Sequence, residues 1–188
     1  MALPRDAALL TDLYQLTMAA AYVREAMDQR ATFSLFVRRL PPERAFLVAA
    51  GLEDALDYLR SLAFSPEAIA YLASLDRFDA PILVRLATLR FTGDVRAVPE
   101  GTIAFADEPL LEVSAPIVDA QLVETALLNI CHLQTVLASK AARVVLAARG
   151  RPVAEFGLRR SHGTDAGMKA ARCAYLAGRA GGVPARAR

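Results

Sequence analysis

Leu9, Leu10, Leu13, Leu16 and Ala20 recur at steps of three and four, which draws one apolar stripe along a helix and predicts that helix over Ala7 to Ala26. The next stretch, ATFSLFVRRLP, is rich in Phe and Val and runs into Pro41 and Pro42, so it reads as a strand that the prolines stop. After Gly51 the helical spacing returns in LEDALDYLRSL. FSPEAIAYLASL then carries its own start signal, with Ser65 as cap, Pro66 at the first helical position and Glu67 behind it. A further short helix is expected after Pro81.

From Arg90 to Ser114 the pattern breaks into short apolar runs cut by Gly, Pro and Asp, as in a small antiparallel meander. Helix resumes from Ile117 to Arg149, apolar on more than one face and therefore expected to be buried among other elements. RPVAEFG reads as a short buried strand, and TDAGMKAARCAYLAG as a helix with Thr164 in the cap position. A strand, a Gly-containing loop and a helix in that order resemble the opening of a parallel α/β unit. The expected organisation is an α+β amino-terminal domain over residues 1–150, a strand and helix over 151–178, and an atypical tail over 179–188.

Composition narrows the function classes. A chain of 188 residues that is 55% hydrophobic and 22% charged has the balance of one globular domain with a real core. Its formal charge of +2 comes from the tail: Arg179, Arg186 and Arg188 account for three of the 22 basic residues, which leaves 19 against 20 acidic ones. The body therefore offers no electrostatic footprint for nucleic acid. The apolar run from Val136 to Ala148 is interrupted by Lys140 and Arg143 and is short for a membrane span. Arg5, Asp6 and Asp12 stand where a secretory signal needs unbroken apolar sequence, and a cytoplasmic protein is expected. Cys131 and Cys173 stand alone, outside any metal-binding or redox spacing, and only His132 and His162 are available beside them. The metal to expect is magnesium arriving with a phosphorylated substrate.

Candidate chemistry concentrates in EFGLRRSHGTDAG, Glu155 to Gly167. Ser161, His162 and Asp165 are too close in sequence to converge as a nucleophilic triad, whose members come from separate segments. Arg159 and Arg160 sit at the carboxyl end of the predicted strand, where α/β sheets place their ligands. Beyond them, the amides around Gly163 to Asp165 open a helix and attract negative charge. An arginine fork suits phosphate oxygens. Pairing of these arginines with Glu155 or Asp165 is the competing reading. Lys140 and Arg143, one helical turn apart, either add positive potential near a phosphate or belong to a solvated helix face.

A resemblance extends the reading over residues 9 to 178. LLTDLYQLTMAAAY, ATFSLFVRRLP, AGLEDALDYL, RFTGDVRAVPEGT, EPLLEVSAPIVDAQLVETALLN, QTVLASKAARVVLAA, EFGLRRSHGTDAG and KAARCAYLAG together resemble the nicotinate phosphoribosyltransferases. The resemblance implies a type II phosphoribosyltransferase-like fold, an α+β amino-terminal domain leading into the start of an α/β barrel that is incomplete in this chain. It implies an enzyme of NAD salvage that joins nicotinate to 5-phosphoribosyl 1-diphosphate, with ATP hydrolysis coupled, Mg2+ accompanying the phosphates, and a homodimer as the assembly. By that resemblance Tyr14 matches the tyrosine that lies over the pyridine ring, reaching in from the partner subunit. Phe156 matches an aromatic position beside the same ring in the related nicotinamide enzyme. Arg159 matches the arginine that binds the diphosphate-bearing substrate, with Arg160 and Lys140 as further candidates.

Neither His132 nor His162 matches the family's phosphorylated histidine, which lies farther along the family's chain. The resemblance also stops after YLAG, where the sequence continues as RAGGVPARAR, a composition typical of GC-rich DNA read in a shifted frame. The expectation is a truncated or frameshifted product that is inactive alone. Nicotinamide phosphoribosyltransferase and a non-catalytic dimerising fragment are the alternatives.

Overall fold

The computed structural model describes residues 6–180. In chain order the elements are α1 (Leu13–Arg24), β1 (Arg30–Phe36), β2 (Leu47–Val48), α2 (Leu52–Ser61), α3 (Pro66–Ser74), α4 (Ala80–Ala87), β3 (Asp94–Ala97), β4 (Ile103–Ala104), β5 (Pro109–Pro116), α5 (Ile117–Leu122), α6 (Glu124–Ala148) and α7 (Thr164–Ala180). Short 3-10 turns add Ala7–Leu9 and Leu158–Arg160. These elements make an α+β architecture with no closed barrel among the described residues. The chain weaves between two compact units. One takes the residues up to Ser34, Glu53–Arg96 and Leu111–Asn129, and the other takes Leu35–Leu52, Ala97–Leu110 and the chain from Ile130 onward.

In the first unit, local signals act as the sequence suggests. The Ser65 hydroxyl accepts from the Ala68 amide at 3.0 Å to cap α3, and the Asp79 carboxylate accepts from Ile82 at the start of α4. Each satisfies an amide that the helix itself leaves without a partner. Tyr58, Leu72, Ile82, Leu86 and Leu89 are buried, and so are Leu122 and Val123. The carboxylate of Asp119 is also buried, where burial raises its pKa and the guanidinium of Arg85, bonded to it, works in the opposite direction. The helix expected over Ala7 to Ala26 is broken in two. Asp12 holds extended backbone (ψ 150°) and α1 begins only at Leu13, because the Gln15 side chain turns back to accept from the Asp12 amide at 3.3 Å, half of a capping box.

In the second unit, β2 and β4 pair antiparallel, Leu47 with Ala104 and Val48 with Ile103. Val48 and Ala50 join Ala138 and Ala142 of α6 and Cys173 and Ala177 of α7 in one apolar cluster. Small side chains at these positions let backbones approach closely. Gly51 adopts φ +102°, and a Cβ there would lie 3.0 Å from the Ile130 carbonyl oxygen and 3.1 Å from Cys131 Cα. Both the turn and the close approach require glycine.

Four expectations need correction. The segment from Arg90 to Ser114 is not a self-contained meander: β3 and β5 do pair with each other, but the other edge of β5 takes β1 and the intervening β4 leaves to pair with β2, so two of its three pairings reach distant sequence. The single helix from Ile117 to Arg149 is interrupted at Val123. At 25 residues α6 is long and apolar enough to cross a membrane by length and composition, contrary to the length argument from Val136 to Ala148. Its apolarity has another use, since Ala138 and Ala142 pack in the cluster just described. Last, RPVAEFG forms no strand. Residues 151–157 are irregular and Phe156 is 73% exposed. A strand needs a neighbour to take its amides and carbonyls, and no described strand lies beside this segment. The helix expected next does form, as α7. Residues 181–188 of the atypical tail lie outside the described residues.

Candidate functional site

Each predicted site residue belongs to one unit or the other: Tyr14 to the first, and Lys140, Phe156, Arg159 and Arg160 to the second.

Tyr14 occupies the first turn of α1 and is 49% exposed. Its hydroxyl donates to Glu124 Oε1 at 3.2 Å. The other carboxylate oxygen, Oε2, accepts from Gln15 Nε2 at 3.1 Å and from Gln121 Nε2 at 3.2 Å. Burial and then the negative charge of Glu124 push the Tyr14 phenol above its ordinary pKa. A half-exposed ring with a tethered hydroxyl is a flat apolar surface that can stack on another ring.

In the second unit Arg159 and Arg160 lie in the 3-10 turn Leu158–Arg160, both exposed. The Arg160 amide donates to the Gly157 carbonyl at 2.8 Å and the Ser161 amide to that of Leu158 at 3.2 Å, so the turn is locally closed. It seats on the start of α7, where Gly167 lies against the Leu158 side chain and a Cβ would collide with Leu158 Cδ1. The two acids that could have neutralised the arginines are engaged elsewhere. Asp165 pairs with Lys169 at 3.0 Å, and Glu155 Oε1 accepts from the Gly157 amide at 2.7 Å. Two exposed guanidiniums beside the amino terminus of α7 are suited to an anion with several oxygens. Lys140 is exposed on α6, and Phe156 precedes the turn with its ring largely in solvent. His162 is exposed as well. Among the described residues no group of three or more His, Cys, Asp or Glu could hold a metal ion, so these side chains form no metal cage of their own.

Two polar assemblies went unanticipated. One is the set of side chains around Glu124. The other centres on Glu100, whose Oε1 accepts from the amides of Gly51 at 2.7 Å and Leu52 at 3.0 Å. Arg172 of α7 grips both oxygens of that carboxylate, at 3.1 and 2.5 Å. Burial alone would raise the pKa of Glu100, but the Arg172 bonds and the two amides outweigh it and hold the group below the usual carboxylate value. Glu100 lies in VPEGT and Arg172 in KAARCAYLAG. Their separation of 72 positions left nothing local to connect them.

Comparison with known proteins gives this geometry a family. The sequence model of the nicotinate phosphoribosyltransferase (NAPRTase) N-terminal domain matches residues 9–132. A nicotinate phosphoribosyltransferase of Mycobacterium tuberculosis is 56% identical over 174 residues, covering 93% of this chain and 38% of the relative. One from Bacillus subtilis is 42% identical over 171 residues, 90% of this chain and 35% of the relative. The crystal structure of human nicotinic acid phosphoribosyltransferase superposes with a TM-score of 0.83 at 39% identity, over 95% of this chain and 39% of that one. The chain thus spans well under half the length of the relatives it matches, and it belongs to the nicotinate phosphoribosyltransferase family.

Proposed function

We propose that this chain carries the ring-stacking and diphosphate-binding residues of a nicotinate phosphoribosyltransferase, which joins nicotinate to 5-phosphoribosyl 1-diphosphate, yields nicotinate mononucleotide and diphosphate, and couples the reaction to ATP hydrolysis. The observation that carries the reading is the pair Arg159 and Arg160, exposed while Glu155 and Asp165 are bonded elsewhere. Arg159 is the leading diphosphate ligand, with Arg160 and Lys140 adding positive charge. Magnesium enters with the substrate phosphates and lowers the repulsion among them. Tyr14, and Phe156 once its surroundings are complete, offer aromatic faces to the pyridine ring. The assembly proposed is a homodimer in the cytoplasm, with Tyr14 serving the site of the partner subunit.

Because the chain spans 38% of its M. tuberculosis relative, the prediction for the 188-residue polypeptide is ligand recognition without turnover. Calorimetry of the Arg159→Ala variant tests the assignment. The loss of a bidentate, charge-assisted contact should weaken 5-phosphoribosyl 1-diphosphate by about 1.5–3 kcal/mol and leave nicotinate nearly unaffected. Equal loss for both ligands, or for neither, counts against it. Parallel titrations with nicotinate and nicotinamide decide between the two substrates, and preference for the amide would move the chain to the nicotinamide enzyme.

A further inference from the structure

Tyr14 is half exposed, yet its side chain is tied down. Glu124 receives its hydroxyl on one oxygen and the amide nitrogens of Gln15 and Gln121 on the other. Gln15 is itself fully buried. Its Oε1 accepts from Thr11 Oγ1 at 2.5 Å. Thr125 Oγ1 lies 2.8 Å from that same oxygen and 2.7 Å from Asp12 Oδ2, with one proton to donate between them. The backbone on either side is fixed too, by the start of α1 at Asp12 and the start of α6 at Glu124. Both oxygens of the Glu124 carboxylate are therefore occupied, Oε2 by the two glutamine amides and Oε1 by the phenol, so the glutamines fix the carboxylate and the carboxylate in turn holds the end of the half-exposed ring.

From this network we infer that Glu124 is the positioning residue of the aromatic platform: it holds the Tyr14 ring in one orientation so that its exposed face is ready for a flat ligand. The ligand part of this statement, a pyridine ring, rests on the function proposed above. The tether itself does not. An untethered surface tyrosine samples several rotamers and must be frozen when a ring stacks on it, whereas a ring already held loses little freedom on binding. TDLYQ and VETALLN, more than a hundred positions apart in the chain, are on this reading two halves of one device.

The test uses the 188-residue chain with carbon-13 tyrosine, the Tyr14 signals being assigned by their loss in Tyr14→Phe. In Glu124→Ala the Tyr14 ring signals should move toward those of a freely rotating tyrosine, and in Glu124→Gln, which keeps the volume and one acceptor oxygen for the phenol, they should move less. The phenol should also titrate at lower pH than in the unsubstituted chain, since a nearby negative charge has been removed. The nicotinate dissociation constant should rise about three- to tenfold in Glu124→Ala. Tyr14→Phe, which keeps the ring and removes only the hydroxyl, should give a similar loss, and the double variant should lose no more than either single one. Unchanged Tyr14 signals and titration in both Glu124 variants would overturn the positioning role. Released ring signals with no change of nicotinate affinity in Glu124→Ala, Tyr14→Phe and Tyr14→Ala alike would leave the tether standing and overturn the nicotinate reading. Tyr14 signals in the unsubstituted chain that nicotinate at millimolar concentration fails to move would have the same meaning for the ligand.

Discussion

Replacing Arg172 by Ala removes both of its bonds to Glu100 while the carboxylate keeps the amides of Gly51 and Leu52. The pair is partly enclosed, with the Glu100 side chain 15% and that of Arg172 33% exposed. Deleting one partner of a fully buried pair costs about 3–5 kcal/mol, and losing a solvent-exposed pair costs roughly 0–1 kcal/mol. Arg172 sits between these limits and Glu100 is not left wholly without donors, which points to a loss of about 2 kcal/mol. Glu100→Ala should cost more, about 3 kcal/mol, because it also strips the two amides of their acceptor. Urea unfolding followed by circular dichroism measures this. With a slope of about 1–3 kcal/mol per molar, a 2 kcal/mol loss moves the midpoint by roughly 1 M.

The effect should also depend on pH in one direction. Glu100 has a folded-state pKa below its unfolded value, so its stabilisation is fully present above the unfolded pKa and is lost as pH falls through the folded one. The gap between the unsubstituted chain and Arg172→Ala should thus be widest near neutrality and narrow in acid. A midpoint shift under about 0.2 M at pH 7, or a shift that stays constant into acid, would refute the view that Arg172 and Glu100 form a stabilising clamp.

Gly51→Ala should destabilise by about 1–3 kcal/mol, read as a lowered urea midpoint, because φ +102° disfavours any side chain and the new Cβ meets the backbone of α6. Cys131 and Cys173 are both buried, and burial followed by the charge of Glu100 pushes the Cys131 thiol up to about 12. Neither should react with a thiol reagent at pH 8 while the chain is folded, and both should react promptly in denaturant. Fast labelling of the native chain would contradict the burial.

Sequence reading succeeded where the deciding contacts are local. Ser65, Pro66 and Glu67 start a helix within four residues, and α3 begins at Pro66. The break before α1 is encoded in the same way, since Asp12 and Gln15 stand three apart as a capping pair, but the apolar stripe from Leu9 to Ala20 runs across it and masks it. Strand partners were not legible. The two-residue β2 and β4 meet across more than fifty positions, and residues 151–157 have the composition of a strand without a neighbour to make them one. The site divides similarly. Tyr14 and Arg159 are candidates because of the motifs that hold them, whereas the contacts of Glu124 and Arg172 depend on partners far along the chain. Charge counting could not have foreseen that Glu155 and Asp165 would be engaged away from the arginines.

The central proposal is that this chain carries recognition residues of a nicotinate phosphoribosyltransferase and that turnover requires the remainder of the length its relatives have. Chromatographic detection of nicotinate mononucleotide tests it most directly, with nicotinate, 5-phosphoribosyl 1-diphosphate, ATP and magnesium supplied and host enzyme excluded. The chain should be assayed alone and joined to the part of the M. tuberculosis relative that the match leaves uncovered. The account predicts product only from the joined protein, and none from its Arg159→Ala version at low donor concentration. Product from the 188-residue chain alone, or an Arg159→Ala protein as active as its parent under those conditions, would contradict it.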